Sequence, residues 1–132
     1  MNYLLDTNIG SAQIRRPAGL AHRFIQYSGR LAIPTIVLGE LYAGAHMLPN
    51  STRIIAGIND LLDDVTVLAF DSACAEEFGR LRGVLKQQGL AVNPLDLQIA
   101  AVALVHNLTL VTNNTKDFRH IPGLMLDDWL RP

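Results

Sequence analysis

An α/β domain with a mostly parallel sheet is predicted by three features of the sequence: strand-length apolar runs alternate with helical periodicity, capping and stop residues stand at the joins, and no repeat interrupts the alternation. Tyr3-Leu4-Leu5 reads as the first strand, ending at Asp6. Leu31-Ala32-Ile33 reads as the second; Pro34-Thr35 breaks it, and Thr35 is placed to cap a helix running to about His46. Arg53 to Leu62 carries Ile54, Ile58, Leu61 and Leu62 at helical spacing, and Val65 to Ala69 follows as a strand. From Ser72 to Gln88 the apolar stripe is Cys74, Phe78, Leu81 and Leu85, with Glu76 and Glu77 near its start, Lys86 near its end and Gly89 as the stop. Asn93 caps and Pro94 opens a helix that is apolar nearly all round through Val105, the mark of a buried helix. Leu108 to Thr112 makes another strand, Asn113 to Asp117 a polar loop, and Leu124-Met125-Leu126 a short final strand.

Composition bounds what such a domain can do. The chain of 132 residues, 49% hydrophobic and 17% charged, fits a single compact domain over residues 1–132. Its longest apolar stretches fall well short of the ~20 residues a membrane helix needs, and the short run before Asp6 is no signal peptide, so a cytoplasmic location is expected. The single cysteine, Cys74, excludes a disulfide framework and a multi-cysteine zinc site, and reads as core packing. His22, His46, His106 and His120 show no ligand spacing. Walker A, GxGxxG and GxSxG motifs are absent. With a formal net charge of −1, any binding of nucleic acid must rest on a local basic patch.

The chemical signal is where the acids stand. Glu40 is the only Asp, Glu, Lys or Arg between Arg30 and Arg53, and the positions three and four residues away are Ile36, Val37, Ala43 and Gly44, so no helical neighbour neutralises it. Asp96 is isolated in the same way between Lys86 and Lys116, and Asp6 stands alone ahead of Arg15. An ionised carboxylate in an apolar setting needs a cation, hydrogen-bond donors or solvent, because burying it unpaired costs several kcal/mol. A shared divalent metal would satisfy all three: Mg²⁺ and Mn²⁺ favour carboxylate oxygens and can activate water against a phosphodiester. Asp6 falls at the carboxyl end of a strand, the usual ligand crevice of open α/β sheets, and Asp117 follows the Leu108 to Thr112 strand closely enough to join it.

Each acid also has a plainer reading from local sequence. Asp6 with Thr7 and Asn8 suits a helix cap or Asx-turn. Asp96 could oppose the dipole of its helix, Glu40 could meet a distant Lys or Arg, and Asp117, between Lys116 and Arg119, could simply be solvated.

Four blocks stand out together: Leu5-Asp6-Thr7-Asn8; Pro34-Thr35 through Gly39-Glu40-Leu41 with Gly44-Ala45; Pro94-Leu95-Asp96-Leu97-Gln98-Ile99-Ala100-Ala101; and Leu110-Val111-Thr112-Asn113-Asn114-Thr115-Lys116-Asp117-Phe118. In this order and spacing they resemble the PIN-domain nucleases, and in particular the VapC-type toxins of bacterial toxin–antitoxin pairs. The closing Ile121-Pro122-Gly123-Leu124 and Asp127-Asp128-Trp129 are also similar, whereas Asn93 stands where many relatives have glycine and Gly10-Ser11 is an unusual continuation of the opening motif. The resemblance implies a three-layer α/β/α sandwich and an RNA endonuclease using Mg²⁺ or Mn²⁺, leaving a 5′-phosphate and a 3′-hydroxyl. It implies metal ligation by Asp6, Glu40 and Asp96 with Asp117 as a fourth acid, and orientation of ligands and water by Asn113 with Thr7 or Thr112. It further implies a homodimer and a small VapB-type antitoxin as partner. Arg15, Arg16, Arg23, Lys86, Lys116 and Arg119 are the candidates for holding RNA. The rival is a phosphoacceptor receiver module using Asp6, Asp71 and Lys116; it leaves Glu40 and Asp96 unexplained and lacks the paired acids expected after its first strand. A haloacid-dehalogenase-like phosphatase fails because Asn8 stands where its acid/base aspartate belongs.

Overall fold

Strands β1 (Tyr3–Leu5), β2 (Leu31–Pro34), β3 (Thr66–Leu68), β4 (Thr109–Val111) and β5 (Leu126–Asp127) form one sheet in a computed structural model that describes residues 1–131. Their order is β3-β2-β1-β4-β5 and every neighbouring pair is parallel, so the expected mostly parallel sheet is wholly parallel among the described residues. Parallel strands covered on both faces must be apolar throughout, which is why Leu4, Leu5, Leu31, Ala32, Ile33, Leu110 and Val111 are all buried. Exposed Thr66 and Val67 mark β3 as an edge.

Seven helices complete the three-layer sandwich among the described residues: α1 (Thr7–Arg15), α2 (Pro17–Gln26), α3 (Thr35–His46), α4 (Ser51–Asp64), α5 (Ser72–Gln87), α6 (Pro94–Val105) and α7 (Thr115–Phe118). Helices α1 and α2 have no counterpart in the periodicity reading. Gly10, Ser11, Gly19 and Pro17 interrupt their apolar stripes, and tertiary contact of Ile9, Leu20 and Phe24 with the core decides their conformation. The reading of Thr35 as a cap is corrected: Pro34 occupies the cap position, Thr35 is the first helical residue, and no side chain caps this end. Asn113 to Asp117 is not all loop, since α7 begins at Thr115, and the last strand is Leu126–Asp127 rather than residues 124–126. At the other predicted ends the local chemistry holds. Asn93 accepts a hydrogen bond from the Leu95 amide at 2.8 Å with Pro94 next in line, and Gly89 takes φ +71° just beyond α5. Cys74 is a buried free thiol.

Trp129 is buried in an aromatic cluster with Tyr3, Phe24 and Tyr27. It stacks on Tyr27 with ring centroids 5.7 Å apart, lies 5.4 Å from Tyr3, and carries the Arg23 guanidinium 5.6 Å from its ring centre. Arg23 is thereby committed to a structural contact.

Where α1 crosses α4, Gly57 allows the approach: a Cβ there would stand 2.7 Å from Cγ2 of Ile14, a β-branched methyl that cannot swing clear. Ala in place of Gly gains ~1 kcal/mol of helix propensity, while overpacking a well-filled contact costs ~1–3 kcal/mol. Gly57→Ala should therefore lower the melting temperature despite the better helix former. Pairing it with Ile14→Ala should make the Gly57→Ala step favourable, as a thermal-denaturation cycle would show.

Candidate functional site

The strand order reverses between β1 and β4, where the chain has moved outward first through β2 and β3 and then through β5. At such a switch point the carboxyl ends of the strands open a crevice. Asp6 follows β1 and Thr112 follows β4 at that point, and the Thr112 hydroxyl donates to Oδ2 of Asp6 at 2.8 Å. The other oxygen, Oδ1, accepts from the Thr7 amide at 2.7 Å and caps α1. The helix-cap reading of Asp6 therefore holds for Oδ1, while Oδ2 is held by Thr112 and faces the crevice end of β4. Asp6 is only 5% exposed, and burial pushes its carboxyl up while the Thr112 and Thr7 hydrogen bonds pull it down; Glu40 adds a further upward push.

Glu40 lies on α3, half-buried, and its Oε1 accepts from the Thr7 hydroxyl at 2.7 Å. Thr7 therefore links two acids, giving its backbone N–H to one and its hydroxyl to the other. Asp96, in the first turn of α6, has its carboxyl pushed up to about 6 by burial first and then by the negative charges of Asp6, Asp117 and Glu40. A favourable helix dipole alone would pull it down, so burial together with the surrounding carboxylates outweighs the dipole. Asp117 sits exposed on α7 and lines a cleft of about 320 Å³ with Asp96, Asn93, Lys116 and His120. No cation balances this group: among the described residues the one ion pair is Arg80 with Glu77, so Glu40 meets no distant Lys or Arg.

Thr7 and Thr112 orient acids directly. Asn113 acts through its backbone, whose N–H donates to Oδ1 of Asn8 at 3.2 Å while its side chain is exposed. Asn8 and Asn114 were missed as positioning residues. The Asn114 amide donates to the Thr112 hydroxyl at 3.0 Å, and Asn8 reaches the same oxygen at 3.5 Å. Their place beside Thr7 and Thr112 in two of the four blocks was the available signal.

The basic candidates divide by position. Lys116 lines the acidic cleft and Arg119 contacts His120 beside it. Arg15 and Arg16 stand at the far end of α1, about 13 Å along the axis from the Asp6 cap at 1.5 Å per residue, in a pocket with Trp129 and Leu130. Arg23 lies over Trp129, away from the acids.

The donors match a hard divalent cation in kind: carboxylate oxygens, one of them buried, with no competing basic partner. In spacing they are open, since among the described residues no three His, Cys, Asp or Glu side chains form a closed ligand set. The receiver alternative fares worse. Asp71 caps α5 by accepting from the Cys74 amide at 3.0 Å, and the sheet order is not the 2-1-3-4-5 of that fold.

The PIN domain family profile matches residues 3–124. The tRNA(fMet)-specific endonuclease VapC of Shigella flexneri is 36% identical over 130 residues, 98% of each chain, and Ribonuclease VapC2 of Haemophilus influenzae is 36% identical over 131 residues, 98% of this chain and 99% of that one. The toxin chain folds match too. VapBC2 from Rickettsia felis bound to a promoter DNA fragment superposes with a TM-score of 0.90 at 34% identity, covering 98% of this chain and 99% of that one. DNA-bound VapBC from Salmonella typhimurium gives 0.92 at 33% identity, covering 98% of each. The chain belongs to the PIN-domain family, in its VapC ribonuclease branch.

A carboxyl whose pKa is higher in the folded protein than in the unfolded chain opposes folding only where it is ionised. For Asp96 the penalty is absent below the unfolded value of ~4, grows as pH rises to about 6, and is then constant. Asp96→Asn should melt above the wild type at pH 7.5 in EDTA, and the difference should close on going to pH 4.

Proposed function

We propose that this chain is a metal-dependent endoribonuclease that hydrolyses RNA phosphodiesters and serves as the toxin of a toxin–antitoxin pair, acting as one domain. The observation that carries the reading is the gathering of Asp6, Glu40, Asp96 and Asp117 from four separate segments around one crevice, near enough to repel one another and with no basic side chain paired to any of them. Asp6, Glu40 and Asp96, with Asp117 at the open side, are the residues that would hold Mg²⁺ or Mn²⁺. When bound, the ion supplies Lewis-acid activation of water and charge neutralisation at the scissile phosphate.

The chain's own residues set the geometry for that chemistry. Thr112 and the Thr7 amide hold the Asp6 carboxylate with both oxygens directed, and the Thr7 hydroxyl fixes the rotamer of Glu40. Asn8 and the Asn114 amide in turn hold Thr112. A VapB-type antitoxin is the proposed partner, supported by the likeness to the VapBC complexes of Rickettsia felis and Salmonella typhimurium, and a homodimer is the proposed assembly. The proposed site of action is the cytoplasm, where RNA substrate is met; separately, among the described residues no helix is long and apolar enough to cross a membrane.

Glu40→Gln keeps an acceptor for the Thr7 hydroxyl and removes only the charge. It should lower cleavage of total RNA at least ~100-fold, since loss of a group that merely supports a metal ligand already costs ~10–100-fold, with an unchanged circular-dichroism spectrum. Wild-type activity in that variant would remove Glu40 from the site. Mapped 5′ ends should carry phosphate, EDTA should stop cleavage, and Mn²⁺ should raise the wild-type melting temperature more than that of Asp96→Asn. Expression alone should arrest growth, and the small protein encoded beside it should release the arrest; harmless overproduction of active enzyme would exclude the toxin role.

A further inference from the structure

Helix α5 carries Arg82 and Lys86 four residues apart on one exposed face. The positions three and four residues from Arg82 are Phe78, Gly79, Leu85 and Lys86, so no acid on the helix offsets either charge. Arg80, by contrast, is paired with Glu77. Like charges at this spacing destabilise a helix, and an anion laid against the face relieves the repulsion. The two cations line a groove of about 450 Å³ that continues past Leu85 and Leu97 to a wall made by Leu90, Ala91 and Val92. The same three residues form one side of the cleft that holds Asp96, Asp117 and Lys116. The basic groove and the acidic cleft are therefore two compartments with one shared wall, and Gly89, at φ +71°, turns the chain out of α5 to build it.

We infer that this groove is the substrate track: a single strand of RNA leaves the acidic cleft, crosses residues 90–92 and lays its phosphates against Arg82 and Lys86. The inference rests on the nuclease reading and adds to it the direction in which the strand departs, together with Arg82, which sequence reasoning did not single out. The charge pattern supports a polyanion passing between the two compartments. Carboxylates at the cleft would repel bare phosphate, so a strand needs cationic anchors beside the cleft to be drawn across it. Neither compartment is lined by Phe, Tyr or Trp, so the groove holds backbone rather than stacked bases, and its contribution is electrostatic and salt-sensitive.

The test compares wild type, the Arg82→Ala/Lys86→Ala double variant and Arg30→Ala, whose side chain is exposed just ahead of β2, at the amino ends of the strands and so at the opposite end from Asp6. On a single-stranded RNA of about 15 nucleotides the double variant should show KM raised about tenfold with kcat within about twofold, because phosphate contacts outside the reacting centre supply binding shared by ground and transition states. With the same RNA bound in EDTA, where cleavage is stopped, the slope of log K against log salt should fall by about 1.4, two phosphates at ~0.7 each. A dinucleotide, too short to reach α5, should be cut equally by the double variant and the wild type, and Arg30→Ala should match the wild type throughout. Wild-type enzyme that cleaves the long RNA while the double variant keeps the same KM and salt slope would overturn the track and leave the nuclease reading standing. A wild type that neither binds nor cleaves RNA would overturn both.

Discussion

The Asp6 carboxylate is the constraint around which the domain is arranged. It stands at the end of the central strand, 5% exposed, where an ionised group without partners would cost several kcal/mol. Two donors meet that cost: the Thr7 amide, which the start of α1 leaves free, and the Thr112 hydroxyl, which arrives only if β4 lies beside β1 in the observed register. Thr112 is itself fully buried, and without Asp6 its O–H would lose the acceptor it donates to. The pairing of β1 with β4, the start of α1 and the geometry of the crevice are thus one problem with one solution. A slip of β4 by one residue would turn Thr112 to the other face of the sheet and strand both groups.

Helix α6 shows how a fold keeps a charged site beside a dry core. Leu97, Ile99, Ala100, Ala101, Val102 and Ala103 are buried, so the helix is anchored over most of its surface and cannot rotate to give Asp96 more solvent. The carboxyl remains half-buried facing Asp6, Glu40 and Asp117, and its affinity for a proton rises accordingly. The stability lost here through burial and like-charge repulsion would be recovered on binding a cation, a trade commonly met at functional sites. The Asn93 cap and Pro94 fix where α6 begins and hence how far Asp96 stands from the crevice.

Two acids that look alike in sequence have different fates. Asp6 and Asp71 each follow a strand and each cap the next helix. Asp71 follows the edge strand β3 and is exposed; its cap hydrogen bond to the Cys74 amide holds its carboxyl below the ordinary range, with the Cys74 side chain adding to that and slight desolvation opposing it. Asp6 follows the central strand, where β4 on one side and α3 on the other bring a hydroxyl and a second acid against it. Strand position within the sheet, which no local window contains, separates a cap from a candidate ligand.

By itself the sequence determined the elements whose signals are local. Continuous apolar triplets specify buried parallel strands, Asn93-Pro94 and Gly89 mark helix ends, and Glu40 and Asp96 stand out because nothing within one helical turn can neutralise them. Helices α1 and α2 escaped, because Gly10, Pro17 and Gly19 blur the apolar stripe and burial of Ile9, Leu20 and Phe24 against the core compensates. Tertiary structure alone decided that Asp6 caps α1 and accepts from Thr112 together, that Thr7 bridges two acids, that Asn8 supports Thr112, and that Arg23 belongs to Trp129 while Arg82 and Lys86 line a groove sharing a wall with the acidic cleft. Each of these is a contact between segments as much as 106 residues apart, such as Thr112 with Asp6. Such contacts depend on strand order and register, which follow from how the whole chain buries its apolar surface rather than from any residue's neighbours in sequence.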